Sequence, residues 1–125
     1  MALQLQDLTR DAISNAVDDL INTGAGVANL KFETAADVAV ATIPLANPAF
    51  GDSAAGVITL AGVPLSDPAA VGGTIAQFSI FNRDAAKVLE GTCGVSASDI
   101  NISSLTIGAG DTVTLTSLVI STPAS

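Results

Sequence analysis

The sequence contains no histidine, no tryptophan and no tyrosine, and it has a single cysteine. Without histidine, a Ser-His-Asp triad, a Cys-His pair and any metal site built on histidine are excluded. Without tryptophan and tyrosine, the chain lacks the rings on which sugars and unpaired bases commonly stack. One cysteine cannot form an internal disulfide. We therefore expect no enzymatic activity, no catalytic residues, no cofactor and no bound metal.

Charge is also scarce, and it is mostly of one sign. Charged residues make up 13% of the 125 residues, with 4 basic against 12 acidic side chains and a net charge of −8. Four scattered cations do not form a patch that follows a phosphate backbone, so nucleic acid is not expected as a partner. Hydrophobic residues reach 49%, and small side chains dominate the remainder. A surface of this composition favours close contact with other proteins.

No long hydrophobic run is present, although the mean hydropathy is +0.58. A membrane-spanning helix needs about 20 nearly uninterrupted apolar residues, and the most apolar stretch, 38–50, contains two prolines, an asparagine and a threonine. Asp7 and Asp11 lie where a signal peptide requires a basic segment and an apolar run. We therefore expect that the chain does not associate with a membrane and that it is synthesised in a cytoplasm.

The first 22 residues have the period of an amphipathic helix. One stripe carries apolar residues at steps of three and four: Leu5, Leu8, Ala12, Ile13, Ala16, Val17, Leu20 and Ile21. The opposite face carries polar residues: Arg10, Asp11, Ser14, Asn15 and Asp18. Asp7 is the expected N-cap, and Gly24 the expected stop. The stripe either packs on its own domain or docks on a neighbouring subunit.

From residue 27 the period changes to two, which is typical of half-buried strands. We expect strands at about 28–32, 38–45, 57–63, 74–81 and 87–94, a turn at 82–85, and a final hairpin of 99–107 with 112–121. The segment 66–73 is the expected extended loop. About seven short strands without βαβ alternation predict a mainly β fold: an N-terminal helix (1–24), then a compact antiparallel β-sandwich (25–125), jelly-roll or immunoglobulin-like.

Several segments have the pattern of a known family. They are the opening MALQLQDLTRDAISNAVDDLINTGAGVANLKF, the corner LANPAFG followed by GVITL, GGTIAQFSIFNRD with KVLEGTCG, and SDINISSLTIGAGDTVTLTSLVIS. Together they resemble a widespread family of small structural proteins of tailed bacteriophages, and the resemblance covers nearly the whole chain. Two positions depart from the family pattern: Ala85, where glycine is usual, and Cys93, where an aliphatic residue is usual.

The resemblance implies a virion component, and its size is similar to that of capsid decoration (cement) proteins. The expected partners are the major capsid protein or other virion proteins, together with further copies of the chain, a trimer first. The expected location is the capsid surface, after synthesis in the host cytoplasm. The alternatives are a tail, baseplate or fibre-associated subunit, or a receptor- or carbohydrate-binding module at the virion surface.

Candidate site residues are few. For partner contact we select apolar residues of the helix and one arginine of the 82–85 turn: Leu5, Leu8, Ile13, Val17, Leu20 and Arg83. Cys93 has no histidine to activate it and is expected in the core. The five turn aspartates, at positions 52, 67, 84, 99 and 111, favour turn chemistry over calcium binding. The segment 108–110 is expected as a hairpin turn and not as a phosphate cradle, because it joins two strands.

Overall fold

The computed structural model describes residues 3–95, 100–101 and 104–123, and within them it contains one helix and eleven short strands. Helix α1 spans Asp7–Ile21. The strands are β1 (Asn29–Glu33), β2 (Ala39–Pro44), β3 (Val57–Thr59), β4 (Leu65–Asp67), β5 (Gly73–Thr74), β6 (Gln77–Phe81), β7 (Lys87–Gly94), β8 (Ile100–Asn101), β9 (Thr106–Ile107), β10 (Val113–Leu115) and β11 (Val119–Ser121). The predicted fold class is confirmed: the chain is mainly β, with one N-terminal helix followed by antiparallel strands arranged in sheets.

The largest sheet has five strands in the order β2-β1-β6-β7-β8. Its pairs are antiparallel except β7 with β8, which run parallel where Cys93 and Gly94 meet Ile100 and Asn101. Interior strand β1 alternates as predicted over its first four residues, because Leu30 and Phe32 are buried while Asn29 and Lys31 are only half-buried. The alternation fails at Glu33, which is buried and accepts a hydrogen bond from the hydroxyl of Ser79 at 2.5 Å. Side chains of successive strand residues point to opposite faces, so this alternation places the core on one face.

The remaining strands pair two by two, as β10 with β4, β11 with β3, and β5 with β9. Their buried side chains join those of the large sheet in one hydrophobic cluster, which gives a sandwich-like arrangement. Among the largest members of the cluster are Phe32, Phe50, Ile58 and Ile80, each at most 1% exposed. The helix adds Ile21 to the same cluster.

Three details of the predicted strand pattern are wrong. Among the described residues the final hairpin does not form, because β9 pairs with β5 and β10 pairs with β4. Residues 99, 102 and 103 of its expected first strand lie outside the described part of the chain. The expected loop 66–73 contains most of β4, and the structure has eleven short strands where about seven were expected. Alternating residues identify a strand but not its partner. Here the backbone N–H of Gly110 donates to the carbonyl of Ala70 at 2.8 Å, which ties the 108–111 turn to the β4–β5 connection.

The turn between β6 and β7 forms as predicted. The Oδ1 of Asn82 accepts the backbone N–H groups of Asp84 at 3.0 Å and Ala86 at 2.9 Å. The backbone N–H of Asn82 donates to the carbonyl of Ala86 at 2.8 Å. Ala85 closes the turn with a φ of 64°, in the left-handed region. This conformation is the physical reason for a glycine preference at that position.

Candidate docking surface on the N-terminal helix

The helix begins one residue earlier than expected. Gln6 is the N-cap and makes no side-chain capping bond, whereas Asp7 is already helical, so the prediction of Asp7 as N-cap is wrong. The exposed Asp7 instead accepts a hydrogen bond from the half-buried Arg10 guanidinium at 3.1 Å. The predicted stop is confirmed, because Asn22 is the C-cap and Gly24 takes a φ of 121°.

The polar face of the helix packs against the β domain, together with Val17 and Ile21 at one edge of the apolar stripe. Ser14 is 0% exposed and Asp18 is 8% exposed. Four side chains of this face each accept one backbone N–H from the segment 49–56. The pairs are Asn22 with Ala49 (2.9 Å), Asp18 with Phe50 (3.1 Å), Asn15 with Ser53 (2.9 Å) and Asp11 with Gly56 (2.8 Å). Spacings of three and four residues keep all four acceptors on one face of a helix.

Gly56 is the centre of this contact. Its N–H donates to Asp11, and its carbonyl accepts the Ser14 hydroxyl at 2.8 Å and the Thr122 N–H at 2.8 Å. Its φ is +79°, and a Cβ at this position would lie 2.9 Å from the Arg10 side chain. Glycine is therefore required here for two reasons: the left-handed backbone and the close approach of the helix.

The helix is also joined to the end of the described chain. Arg10 Nε donates to the carbonyl of Thr122 at 2.9 Å, and the hydroxyl groups of Ser14 and Thr122 are 2.7 Å apart. Ser53 donates its hydroxyl to Asp11 at 2.7 Å. The helix is therefore attached through hydrogen bonds along most of its length, and through apolar packing mainly at its C-terminal end, where Ile21 is buried and Val17 is half-buried.

Two carboxylates in this contact have pKa values shifted in opposite directions. Desolvation raises the pKa of Asp18 above its ordinary value, although the hydrogen bonds from Phe50 and Asn22 act against that shift. The pKa of Asp11 is lowered, chiefly by the hydrogen bonds from Gly56 and Ser53. A carboxylate that accepts hydrogen bonds near solvent is stabilised in its charged form, whereas one removed from water is not.

This arrangement leaves most of the apolar stripe facing solvent. Leu8 is 83% exposed, Leu20 is 56% exposed and Ile13 is 43% exposed. Ala12 and Ala16 lie between them and are also exposed. We call these five residues the outer face: Leu8, Ala12, Ile13, Ala16 and Leu20. Scattered exposed leucines are normal on a protein surface, but a contiguous apolar stripe indicates an interaction site.

The outer face brings together three of the six residues selected from the sequence, namely Leu8, Ile13 and Leu20. Val17 packs against the core, and Leu5 precedes the helix and is half-buried. Arg83 is not on the helix but in the β6–β7 turn, where its backbone N–H donates to the carbonyl of Thr23 at 3.0 Å. Its Nε donates to the carbonyl of Gly26 at 2.9 Å, which holds the connection after the helix against the β6–β7 turn.

Sequence reasoning missed the ladder of acceptors on the polar face. The signal was present in the residue types, because the face is built mainly from Asp, Asn and Ser. Solvated helix faces usually carry Lys, Glu, Gln and Arg, which favour the helix. Short polar side chains instead hydrogen-bond to backbone groups nearby. Their repetition on one face, together with Asn22 after it, indicates a face that binds backbone.

The other candidate residues lie in the core or accept backbone hydrogen bonds, except where noted below. Cys93 is 7% exposed and belongs to the hydrophobic core. Asp67 accepts the Ala69 N–H at 3.0 Å, and Asp111 accepts the Gly108 N–H at 2.8 Å, as residues of tight turns do. Asp84 accepts the Ala25 N–H at 3.3 Å. Asp52 is exposed, and Asp99 lies outside the described residues.

Within residues 3–95, 100–101 and 104–123, no three acidic or cysteine side chains are grouped so that they could hold a metal ion. In the same part of the chain, no helix is long and apolar enough to cross a membrane. No family model, curated protein or solved structure matches the chain. The outer face of the helix is therefore the feature on which a functional argument depends.

Proposed function

We propose that the chain is a non-enzymatic structural protein of a tailed-bacteriophage particle. In this proposal it decorates the capsid surface as a homo-oligomer, with a trimer as the first expectation, and it holds neighbouring major capsid subunits together. The outer face of the helix is the surface that contacts a capsid subunit. The segments quoted above, which resemble phage structural proteins, give the class of particle.

The observation that carries the proposal is the orientation of the helix. A helix that served only its own domain would turn its leucines inward, because burying a Leu or Ile side chain contributes about 1.5–3 kcal/mol. Here the inward face is polar and its acceptors are occupied by backbone N–H groups, while Leu8 and Leu20 are left in solvent. Burial of the outer face against another protein would recover that free energy.

The surface composition supports the same proposal. The chain has few charged residues that would have to be desolvated on close contact. The small residues Ala12 and Ala16, between Leu8 and Leu20, let another backbone approach the helix. A net charge of −8 helps to keep the unassembled chain in solution and disfavours contact with packaged DNA. Such a protein acts mechanically, by adding buried apolar area between subunits that already touch.

The test is to count copies of the chain in purified particles and to measure its binding to empty capsid shells. Quantitative mass spectrometry against the major capsid protein gives the copy number, and cosedimentation with shells gives the affinity. The proposal expects hundreds of copies and saturable binding to shells. A copy number of about 3 to 12, as in a symmetric tail or portal ring, together with no binding to shells, would contradict capsid decoration and favour a tail subunit.

A further inference from the structure

Of the described strands, β2 is the last on one side of the five-stranded sheet. The backbone N–H of Leu45 donates to the carbonyl of Ala28 at 2.8 Å, so Leu45 points its backbone groups toward β1. Hydrogen-bonding groups alternate sides along an antiparallel strand, so Ile43 also faces β1, whereas Thr42 and Pro44 face outward. An outward edge of this kind can pair with a strand of another chain.

The sequence around β2 favours such pairing. Residues 38–51 contain no charged side chain, and β2 itself reads AVATIP. A hydrophobic strand that is rich in β-branched residues and lacks charge is prone to pair with copies of itself, and a flanking charge or a proline commonly protects it. Pro44 protects one position, because it has no N–H to offer at the edge. The outward N–H of Thr42 requires a separate partner.

A segment of the same chain lies along this edge and supplies that partner. We call residues 65–72 the strap. The carboxylate Oδ2 of Asp67 accepts the Thr42 N–H at 2.9 Å. The carbonyl of Val40 accepts the N–H groups of Val71 at 2.9 Å and Gly72 at 3.2 Å. The strap therefore runs antiparallel to β2, but it is held there by a side chain and a loop, since its own strand β4 pairs with β10.

We propose that Asp67 closes the β2 edge, so that copies of the chain do not pair with one another through it. The carboxylate occupies the Thr42 N–H, which an incoming strand would otherwise bind, and it places a negative charge beside an uncharged strand. Its Oδ1 accepts the Ala69 N–H at 3.0 Å, which holds the carboxylate in position. This closure is independent of contact between the outer face and a capsid subunit, and it confines association of copies to other surfaces.

Asp67→Ser in the full-length chain tests the closure. Serine keeps one oxygen for the turn bond to Ala69, but it lacks the second oxygen and the charge. The matched control is Asp84→Ser, which removes the same charge from a carboxylate that accepts the Ala25 N–H at 3.3 Å beside the β6–β7 turn. In sedimentation velocity, we expect Asp67→Ser to self-associate at least tenfold more strongly than the parent chain, and Asp84→Ser to match the parent. Equal association of Asp67→Ser and the parent would overturn the proposal.

Amide hydrogen exchange identifies the surface through which the variant associates. At low concentration, the Thr42 amide of Asp67→Ser should exchange at least tenfold faster than in the parent chain, whereas the Ile43 amide, which faces β1, should not change. At high concentration, the Thr42 amide should regain protection as a second copy pairs with the edge. An unchanged Thr42 rate, or association without renewed protection of Thr42, would contradict the proposal. Binding of Asp67→Ser to capsid shells reports on the proposed function separately, because that variant leaves the outer face intact.

Discussion

Ala85 shows how one residue can store free energy in a turn. Its φ of 64° lies in the left-handed region, where a side chain with a Cβ is disfavoured by about 1–2 kcal/mol. The surrounding bonds from Asn82 hold the turn in this conformation. A glycine would take the same backbone without that cost, although it loses more conformational entropy on folding.

We therefore predict that Ala85→Gly raises the free energy of unfolding by about 0.5–1 kcal/mol, the left-handed penalty less the added entropy cost. Urea denaturation followed by circular dichroism measures the change. The matched control is Ala86→Gly, one residue further, where φ is not positive and the substitution should lower stability. A destabilised Ala85→Gly variant would show that the turn is not strained at this residue.

Cys93 is buried in the core, and this burial determines its reactivity. A thiol needs access to solvent and a lowered pKa to react quickly, and Cys93 is only 7% exposed. Labelling of the native protein by a thiol reagent should be slower than labelling of the urea-unfolded protein by at least about 100-fold, since it must wait for local opening. Comparable rates in the two states would show that the residue is accessible.

At the scale of elements, the helix is held to the domain by a ladder of hydrogen bonds. Asp11, Asn15, Asp18 and Asn22 accept N–H groups of the 49–56 segment, which runs antiparallel to the helix. Each bond contributes about 0.5–1.5 kcal/mol net, but a buried N–H left unpaired costs more. The ladder therefore fixes the rotation of the helix about its own axis, and with it the direction of the outer face.

Ser14 offers the cleanest test of this ladder. Ser14→Ala removes the hydroxyl that bonds Gly56 and Thr122, and we predict a loss of about 1 kcal/mol in the free energy of unfolding. Thr9→Ala, at an exposed helical position, is the control and should change stability by less than about 0.5 kcal/mol. If both variants unfold at the same urea concentration as the parent chain, the polar face does not hold the helix.

The two shifted carboxylates predict opposite responses to pH. The folded-state pKa of Asp11 is lowered, so its stabilising contribution is complete above its unfolded pKa and is lost as pH falls through the folded pKa. The folded-state pKa of Asp18 is raised, so its protonation at falling pH takes place first in the folded chain and favours folding. Carboxyl ¹³C NMR titration should place the pKa of Asp18 above the ordinary value of 3.8 and that of Asp11 below it. The reverse order would contradict this account of the interface.

The sequence predicts the secondary-structure elements more accurately than the pairing of the strands and the packing of the helix. The amphipathic period identified the helix, and alternation identified β1 and β7 within a residue, because both signals are local. The strand expected at 74–81 is divided in the structure into β5 and β6. The partners of β9 and β10 are set by contacts distant in the chain, which a local pattern does not contain. The sequence identifies which helix residues form the apolar stripe, but it does not show which side of the helix faces the domain. That is determined by the position of the backbone N–H groups of segment 49–56, which the polar face binds. Three of the six selected contact residues therefore share the outer face, and the other three do not.

At the scale of the whole molecule, the domain presents the outer face as a helical surface whose direction is fixed by hydrogen bonds. Under the proposed function, this face contacts a capsid subunit. A homo-oligomer that carries several copies of the outer face would bind several capsid subunits at once, and its apparent affinity would exceed that of a single contact.

The central claim is that the outer face contacts the capsid and contributes little to folding. The most direct test is cosedimentation of the Leu8→Asp, Leu20→Asp double variant with capsid shells, beside Val71→Asp as a matched control at an exposed valine. We predict that the double variant unfolds within about 1 kcal/mol of the parent chain, because both leucines are exposed. We also predict that it binds shells at least tenfold more weakly, while Val71→Asp binds as the parent does. A double variant that binds shells with parental affinity would contradict the account.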